Sequence, residues 1–557
     1  MSAARTLPAL FAALFAALGC SHPAVVAPEP PLPRAVFAAY LGGKLDAYEG
    51  DWDAAADSLA QAAAASPDQP MISVELARAQ MKAKRSAAAV ATLARARKRW
   101  PDHPQVWLAS GDLLAAGDPG EASHAYLRAI QLAPDDERAY LGLAKLQPAD
   151  AAEATLRILI AHVPASIDGH YRLAVRLAMR GDLESSTGEL RAVLERDPDH
   201  IDARLDLARA LRRQGHLDAA IAETRGAFDR SGQALDIAEE LFDLLCEADD
   251  RGAAIDLLTL LDDDHSDSDA LAVLARLDRG LGRLAEARAI AQRIGAIDRD
   301  AGAIALAEAA LAAGDRAQVR AALATVDAGG KLAPEVRRLT AAAALAADDP
   351  AAALAALGAT GAGEGLDAAQ LAASALVDLG RVADARARLA PFGAASGAAD
   401  RDAAQLARAR LADRAGDRAG ALAILEPLIR ARPDLVSALN LAGYLLADAG
   451  QRLADAERYL RHARDLAPGD PEILDSWGWL LLRRGDARAA VRALDRAARL
   501  APLEPEILVH LAAAWAADGA PRTAARTLDR AAALAPGRAV QRRIAAVRQT
   551  LPAAGGR

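Results

Sequence analysis

The sequence has few aromatic residues and almost no cysteine. Only 3% of its 557 residues are Phe, Trp or Tyr, and few β-branched runs remain that could form strands. An all-β fold is therefore excluded. Two cysteines are too few for a disulfide framework. The apolar content, 53% of the chain and mostly Ala and Leu, is enough to support a packed interior, which argues against disorder.

An excess of basic residues is also missing. The chain has 66 Lys and Arg against 75 Asp and Glu, a formal net charge of −9. Contacts with phosphates need basic stripes. We therefore do not expect a general nucleic-acid-binding protein.

Motifs for catalysis and metal binding are missing as well. There is no His or Cys pair with zinc spacing, no glycine-rich phosphate loop and no Gly-x-Ser-x-Gly. Cys246 lies in an apolar run and is interpreted as a buried structural thiol. The acidic residues 262–269 lack the Gly and Glu of a calcium loop, and we interpret them as a loop that caps a helix. We expect no enzymatic activity, no cofactor and no metal.

A 34-residue repeat organises most of the chain. Each unit has a small residue, a large apolar one four later, a small one three later and Pro five later. Three successive units near the C-terminus are Ala456-Leu460-Ala463-Pro468, Ala490-Leu494-Ala497-Pro502 and Ala524-Leu528-Ala531-Pro536. Similar sets begin at residues 55, 89 and 122, and a Gly often precedes the second helix. This pattern predicts helix–turn–helix units, and an array of such units has no size limit.

These positions resemble the tetratricopeptide repeat. The resemblance covers most of residues 35–537 and implies an all-α solenoid of about 13–15 helix pairs. We predict an N-terminal array over residues 35–357, degenerate toward its end, and a glycine-rich break at 358–366. A C-terminal array follows over residues 367–537. Residues 538–551 are predicted to form a capping helix that covers the last repeat.

The first twenty residues have the pattern of a targeting segment. Residues 7–18 form an apolar run that is interrupted only by Pro8. The run is too short for a membrane span but has the length typical of a signal peptide. The segment ends at Ala17-Leu18-Gly19-Cys20, which resembles the lipobox of bacterial lipoproteins. The resemblance implies a signal peptide over residues 1–19, lipidation of Cys20 and, because Ser21 follows, the periplasmic side of the outer membrane. The proline-rich residues 20–34 would be a stiff tether. The alternatives are an ordinary secretory signal, giving a soluble periplasmic or secreted protein, or a cytoplasmic protein with an apolar start.

The resemblance also implies a binding groove lined by the first helix of each pair. Two well-aligned late repeats supply candidates for contact with a protein or peptide partner: Asn440, Tyr444, Asp475, Trp479 and Arg483. Tyr, Trp and Arg are frequent anchors of interfaces, and Asn can bind a peptide backbone. Packing between repeats is the alternative interpretation of Tyr444 and Trp479. Trp477 is assigned to the core.

Several functions remain open from the sequence. The chain resembles tetratricopeptide lipoproteins that act as adaptors for periplasmic carboxyl-terminal processing proteases, which implies a lipid-anchored, non-catalytic scaffold. Partners would then be proteins or peptides, with no nucleic acid and no small-molecule substrate. A tether for the assembly of a pilus or secretion secretin is the alternative. An enzyme is disfavoured because hardly any sequence is left over for a catalytic domain.

Overall fold

The protein is an all-α array in the computed structural model, which describes residues 33–327, 329–358, 365–394, 397–534 and 536–552. These residues form 31 α-helices and one short 3-10 helix, with no strand among them. Counted in chain order, these are 15 first helices, 15 second helices and one final helix. The prediction of 13–15 helix pairs is thus confirmed. The signal peptide, Cys20 and most of the predicted tether and glycine-rich break lie outside the described residues.

The chain divides into two compact units, Met1–Gly215 and His216–Arg557. Unit 1 contains helices α1 to α11. In order they are Arg34–Glu49, Trp52–Ala65, Pro70–Lys82, Ser86–Arg99, Pro104–Leu114, Pro119–Leu132, Glu137–Leu146, Ala149–His162, Ile167–Arg180, Leu183–Arg196 and Ile201–Arg213.

Unit 2 contains helices α12 to α31. The first half, α12 to α22, comprises Leu217–Arg230, Leu235–Glu247, Arg251–Asp264, Ser268–Gly280, Leu284–Ile297, Arg299–Ala312, Arg316–Leu323, Ala333–Ala346, Pro350–Leu357, Leu366–Asp378 and Val382–Leu389. The 3-10 helix Ala390–Ala394 follows. The second half, α23 to α31, comprises Ala398–Arg414, Arg418–Ala431, Val436–Ala449, Leu453–Leu466, Pro471–Arg483, Ala487–Leu500, Pro505–Ala517, Pro521–Ala533 and Arg538–Thr550.

Small residues allow the two helices of a pair to approach closely. Gly478 on α27 faces Leu494 on α28, and a Cβ added at Gly478 would lie 2.5 Å from Leu494 Cγ. Leu494 is itself 0% exposed. The small and large positions of the 34-residue pattern are therefore the residues that interlock within each pair, and burial of such side chains is the main favourable contribution to the array.

The turn within a pair combines a left-handed residue with a helix cap. Gly485 has φ +88°, a conformation that glycine adopts without steric cost. The next residue, Asp486, accepts a hydrogen bond from the Ala489 amide and so caps the following helix. Gly181 and Asp182 repeat this arrangement. Gly-Asp in the sequence thus marks the end of one helix and the start of the next.

The degenerate middle of the chain keeps its helices but shortens them. Helices α18, α20 and α22 have only 8 residues each. Gly380 adopts φ +77° between α21 and α22, while Ala385 and Leu389 on α22 are buried, as in a regular repeat. Packing therefore continues through the region where the sequence spacing drifts.

The two terminal helices differ in their exposure. On α31, Ile544 is buried against the last pair, α29 and α30, and this helix caps the array as predicted. On α1, Phe37, Leu41, Leu45 and Tyr48 form one apolar stripe that is between 52% and 90% exposed. Within the described ranges, none of the helices is long and apolar enough to cross a membrane.

Candidate functional site

The predicted binding residues lie on neighbouring first helices of unit 2. Helix α25 contacts α27, α27 contacts α29, and α29 contacts the capping helix α31. We call the side chains that these four helices present together the first-helix surface. It contains the five predicted residues and four that the sequence did not single out: Asp448, Glu506, His510 and Arg543.

Asp475 is buried in a pair with His510. Its carboxylate oxygens both lie 2.9 Å from His510 Nδ1, and the two side chains are only 11% and 3% exposed. Burial disfavours the charged imidazolium, but the charge and the hydrogen bond of Asp475 outweigh it, so the pKa of His510 is raised. The predicted contact residue Asp475 therefore already has a partner inside the protein, and it holds α29 against α27.

Trp479 is the partly exposed member of the same cluster. Its ring stacks on His510 with centroids 4.3 Å apart and planes inclined by 23°. Its indole Nε1 donates a hydrogen bond of 3.2 Å to Asp448 Oδ1 on α25. The indole is thus fixed on both sides while part of it remains accessible. A rigid, partly exposed aromatic ring is suited to act as an anchor for a partner.

Tyr444 joins the cluster through the capping helix. Its ring centroid lies 6.3 Å from that of His510. Burial raises the pKa of Tyr444 to about 12, although the Arg543 guanidinium, which hydrogen-bonds to it, acts in the opposite direction. Arg543 also pairs with Glu506 on α29. The hydroxyl is therefore neutral at ordinary pH, and Arg543 connects three of the four helices.

Asn440 and Arg483 have unused polar groups. The Asn440 side-chain oxygen is buried and accepts no hydrogen bond from the described residues. Such an acceptor typically costs about 1–3 kcal/mol unless a donor reaches it. Arg483 is exposed near the end of α27 and close to the Gly450 turn. The exposed Arg483 and the accessible part of Trp479 are therefore groups that the first-helix surface offers to an incoming molecule, whereas the Asn440 oxygen is buried beneath it.

The residues that sequence reasoning missed follow a simple rule. His510 lies 35 residues after Asp475, one more than the repeat period. In unit 1, Tyr171 on α9 donates a hydrogen bond of 3.0 Å to Asp206 Oδ2 on α11, again 35 residues further along. Polar residues that are 35 positions apart, one more than the repeat length, therefore meet between adjacent first helices. This spacing could have identified His510 from the sequence.

Neither remaining chemical candidate forms a site. Cys246 on α13 is half-buried, and burial raises its pKa to about 12, so the thiol stays protonated at neutral pH. The helix cap in the acidic stretch is confirmed, because Asp267 accepts a hydrogen bond from the Ala270 amide at the start of α15. The loop is shorter than predicted, since residues 262–264 still belong to α14. Among the described side chains, no group of three His, Cys, Asp or Glu residues is placed to hold a metal ion.

Comparison with known families agrees with the repeat pattern. Tetratricopeptide-repeat models match residues 47–111 and 177–229, and also 406–471 and 476–539. The fold is therefore an array of tetratricopeptide-like repeats, and no catalytic family is indicated. Repeats of this kind imply a protein-interaction scaffold.

Individual relatives share only parts of this chain or have low structural similarity. The TPR repeat-containing protein PA4667 of Pseudomonas aeruginosa is 40% identical over 84 residues, which are 15% of this chain and 14% of that protein. Among solved structures, the Cut9–Hcn1 complex of APC/C matches 93% of this chain and 96% of its own at 13% identity, with a TM-score of 0.33. YrrB, a TPR protein with an unusual peptide-binding site, matches 33% of this chain and 98% of its own at 15% identity and a TM-score of 0.28. PilW, a type IV pilus biogenesis factor, matches 34% of this chain and 91% of its own at 18% identity, with a TM-score of 0.28.

Proposed function

We propose that the protein is a non-catalytic adaptor that binds a protein partner on the first-helix surface of unit 2. The observation that carries the proposal is the rigid cluster around His510, which leaves part of Trp479 accessible one helical turn before the exposed Arg483. An aromatic anchor beside hydrogen-bonding groups is the composition of an interface hot spot. An acidic group of the partner could pair with Arg483.

We further propose that Cys20 carries a lipid and that the adaptor works at the periplasmic side of the outer membrane. The support is the lipobox-like sequence before Cys20 and the proline-rich segment after it. Replacing Cys20 with Ser should release the protein from membranes while its helix content, measured by circular dichroism, stays unchanged. Membrane association that persists in this variant would contradict the lipid anchor.

The preferred partner is a periplasmic carboxyl-terminal processing protease or its substrates. This rests on the family resemblance of the sequence. Affinity capture from gently solubilised membranes, followed by mass spectrometry, should recover such a protease at near-stoichiometric yield. Recovery of pilus or secretin subunits instead would favour the alternative function, a tether for envelope assembly.

Variants of the surface test whether it is the binding site. Trp479→Ala and Arg483→Ala should each weaken capture of the partner, whereas Trp107→Ala in unit 1 is the matched aromatic control and should not. Helix content must be the same in all three proteins for the comparison to count. Equal capture by wild type and both surface variants would place the binding site elsewhere.

A further inference from the structure

Unit 2 makes contacts with itself over very long sequence distances. Arg496 Nη2 on α28 donates a hydrogen bond of 2.6 Å to the Glu247 carbonyl oxygen at the end of α13. Arg499 Nε donates one of 2.8 Å to Asp249 Oδ1 in the turn between α13 and α14. The helix pair α27/α28 lies seven pairs after α13/α14. The chain between these contacts therefore forms a closed loop.

A second contact of the same kind involves the capping helix. Asp348, in the turn between α19 and α20, accepts a hydrogen bond of 2.8 Å from the Arg538 backbone N–H, the first residue of α31. The Arg538 side chain approaches the same carboxylate, with Nε 3.6 Å from Oδ2. A carboxylate at a helix N-terminus is stabilised by the unsatisfied amides there. Asp348 thus caps a helix 190 residues away.

The two aspartates occupy a turn position where many other repeats have glycine, although Lys84 takes the same position between α3 and α4 with φ +60°. In the equivalent turns, Gly181, Gly416 and Gly485 have φ of +88°, +81° and +88°. Asp249 and Asp348 have φ of +61° and +56°, a left-handed conformation that costs energy for a residue with a Cβ. The local backbone would prefer glycine at both places. Each aspartate instead supplies the carboxylate that reaches the distant arginine.

On the other side of this contact, a glycine replaces the aspartate of several other repeats. The residue after the repeat-ending proline is aspartate in several repeats, for example Asp102, Asp135 and Asp199, but it is Gly469 before α27. A Cβ added at Gly469 would lie 2.8 Å from the Cγ of the Glu247 side chain. An aspartate at this position would therefore collide with the α13–α14 edge. Glycine leaves the space in which the two edges meet.

We propose that these contacts form a clasp, made of Glu247, Asp249 and Asp348 with Arg496, Arg499 and Arg538, which closes unit 2 and limits access to its first-helix surface. Helices α25 and α27, which carry Tyr444 and Trp479, lie within the closed loop. A partner then reaches the surface as an extended segment or after the clasp opens. This last step rests on the proposed function, whereas the clasp itself can be tested without any partner.

The test measures the distance across the clasp in the full-length chain. Spin labels are placed at Asp256→Cys on α14 and Arg492→Cys on α28, two exposed positions, with Cys20→Ser and Cys246→Ala removing the native thiols. The parent protein should give one narrow distance distribution in low salt. Asp249→Gly combined with Asp348→Gly removes both carboxylates and relieves the left-handed strain, so helix content should be kept. Each exposed ion pair typically contributes a factor of about 1.4 to 5, so the ratio of closed to open molecules should fall about 2- to 30-fold.

Two further variants separate the clasp from general effects of mutation. Gly469→Asp introduces the residue of other repeats and should also open the clasp. As a control, Arg293→Glu breaks the ion pair between Arg293 and Asp262, which joins adjacent repeats. The side chains of this pair are 42% and 40% exposed, close to the 48% and 41% of Arg499 and Asp249. That control should leave the distance unchanged. Distances in the glycine double variant and in Gly469→Asp that equal the parent's would overturn the clasp.

Access to the surface is measured with a reagent of defined size. A cysteine introduced by Arg483→Cys, in the chain without labels or native thiols, is treated with N-ethylmaleimide or with a polyethylene-glycol maleimide of several kilodaltons. In the closed protein the large reagent should react several-fold more slowly than in the Asp249→Gly, Asp348→Gly variant, while the small reagent reacts equally with both. Equal rates for the large reagent would refute the limited access. Trp479→Ala is also combined with the intact clasp and with the Asp249→Gly, Asp348→Gly changes. If it reduces partner capture in both proteins, the proposed binding site is supported whatever the result for the clasp.

Discussion

The pair of Asp475 and His510 should make the stability of helix α29 depend on pH. The perturbation is Asp475→Asn, which keeps the size of the side chain but removes its charge. His510 is 3% exposed and lies 2.9 Å from the carboxylate, so the charged imidazolium depends on Asp475 for compensation. Removing one partner of a buried charged pair typically destabilises a protein by about 3–5 kcal/mol.

The sign follows from the direction of the pKa shift. The folded-state pKa of His510 is raised above its unfolded value, near 6.5. The charged interaction therefore contributes fully below about pH 6.5 and is lost as the pH rises through the folded pKa. At high pH a neutral imidazole still donates a hydrogen bond to Asp475, which is worth about 1 kcal/mol. The cost of Asp475→Asn should fall from about 3 kcal/mol at pH 6 to about 1 kcal/mol at the alkaline limit.

Hydrogen exchange measured by mass spectrometry is the suitable assay, because repeat arrays open locally rather than as one unit. The opening free energy of peptides covering α29 is compared between wild type and variant from pH 6 to pH 9, after correction for the intrinsic exchange rate. The control is Asp529→Asn, whose partner Arg548 lies on the surface; Asp529 is 70% exposed. That variant should change the opening free energy by less than about 1 kcal/mol at every pH. A cost of Asp475→Asn that is constant or increases with pH would refute the reasoning.

Three further predictions concern the repeat itself. Leu494→Ala should lower the local opening free energy of α27 and α28 by about 2–5 kcal/mol, measured by the same exchange method, because Leu494 is fully buried against Gly478; a loss below about 1 kcal/mol would contradict the interlocking. Gly485→Ala should lower the local opening free energy of the same pair by about 1 kcal/mol in the exchange experiment, because φ is +88° there although the surrounding space is open; no change would refute the strain. In the Cys20→Ser protein, the Cys246 thiol should be unreactive toward iodoacetamide at pH 7.5 and react after unfolding, because burial raises its pKa to about 12; rapid labelling of the folded protein would refute this.

The clasp shows how a repeat array can depart from its own pattern for a structural reason. Asp249 and Asp348 replace the glycine that the turn favours, and Gly469 replaces the aspartate found in other repeats. Each departure is unfavourable or neutral within its own repeat. In all three cases the residue present lies at a contact with a distant part of unit 2.

The sequence was enough to locate the predicted residues of the candidate site. It did not predict which side chains inside the protein would contact them. The repeat register placed Asn440, Tyr444, Asp475, Trp479 and Arg483 on adjacent first helices, and the structure finds them there. The sequence did not indicate that Asp475 would be buried against His510, since the contact depends on how closely α27 and α29 pack. The role of Arg543 was also missed, because a long side chain can reach across several helices in many directions.

The sequence by itself determined the helices, the turns and the interlocking positions, because each repeat is stabilised by contacts within one period of the chain. Ala490, Leu494 and Gly485 have the same roles in the structure that their spacing predicts. The tertiary structure alone decided which distant turns meet. The contact of Asp249 with Arg499 depends on the small rotations between successive repeats, summed over seven helix pairs. No local pattern specifies that sum, and so the closure of unit 2 became visible only in three dimensions.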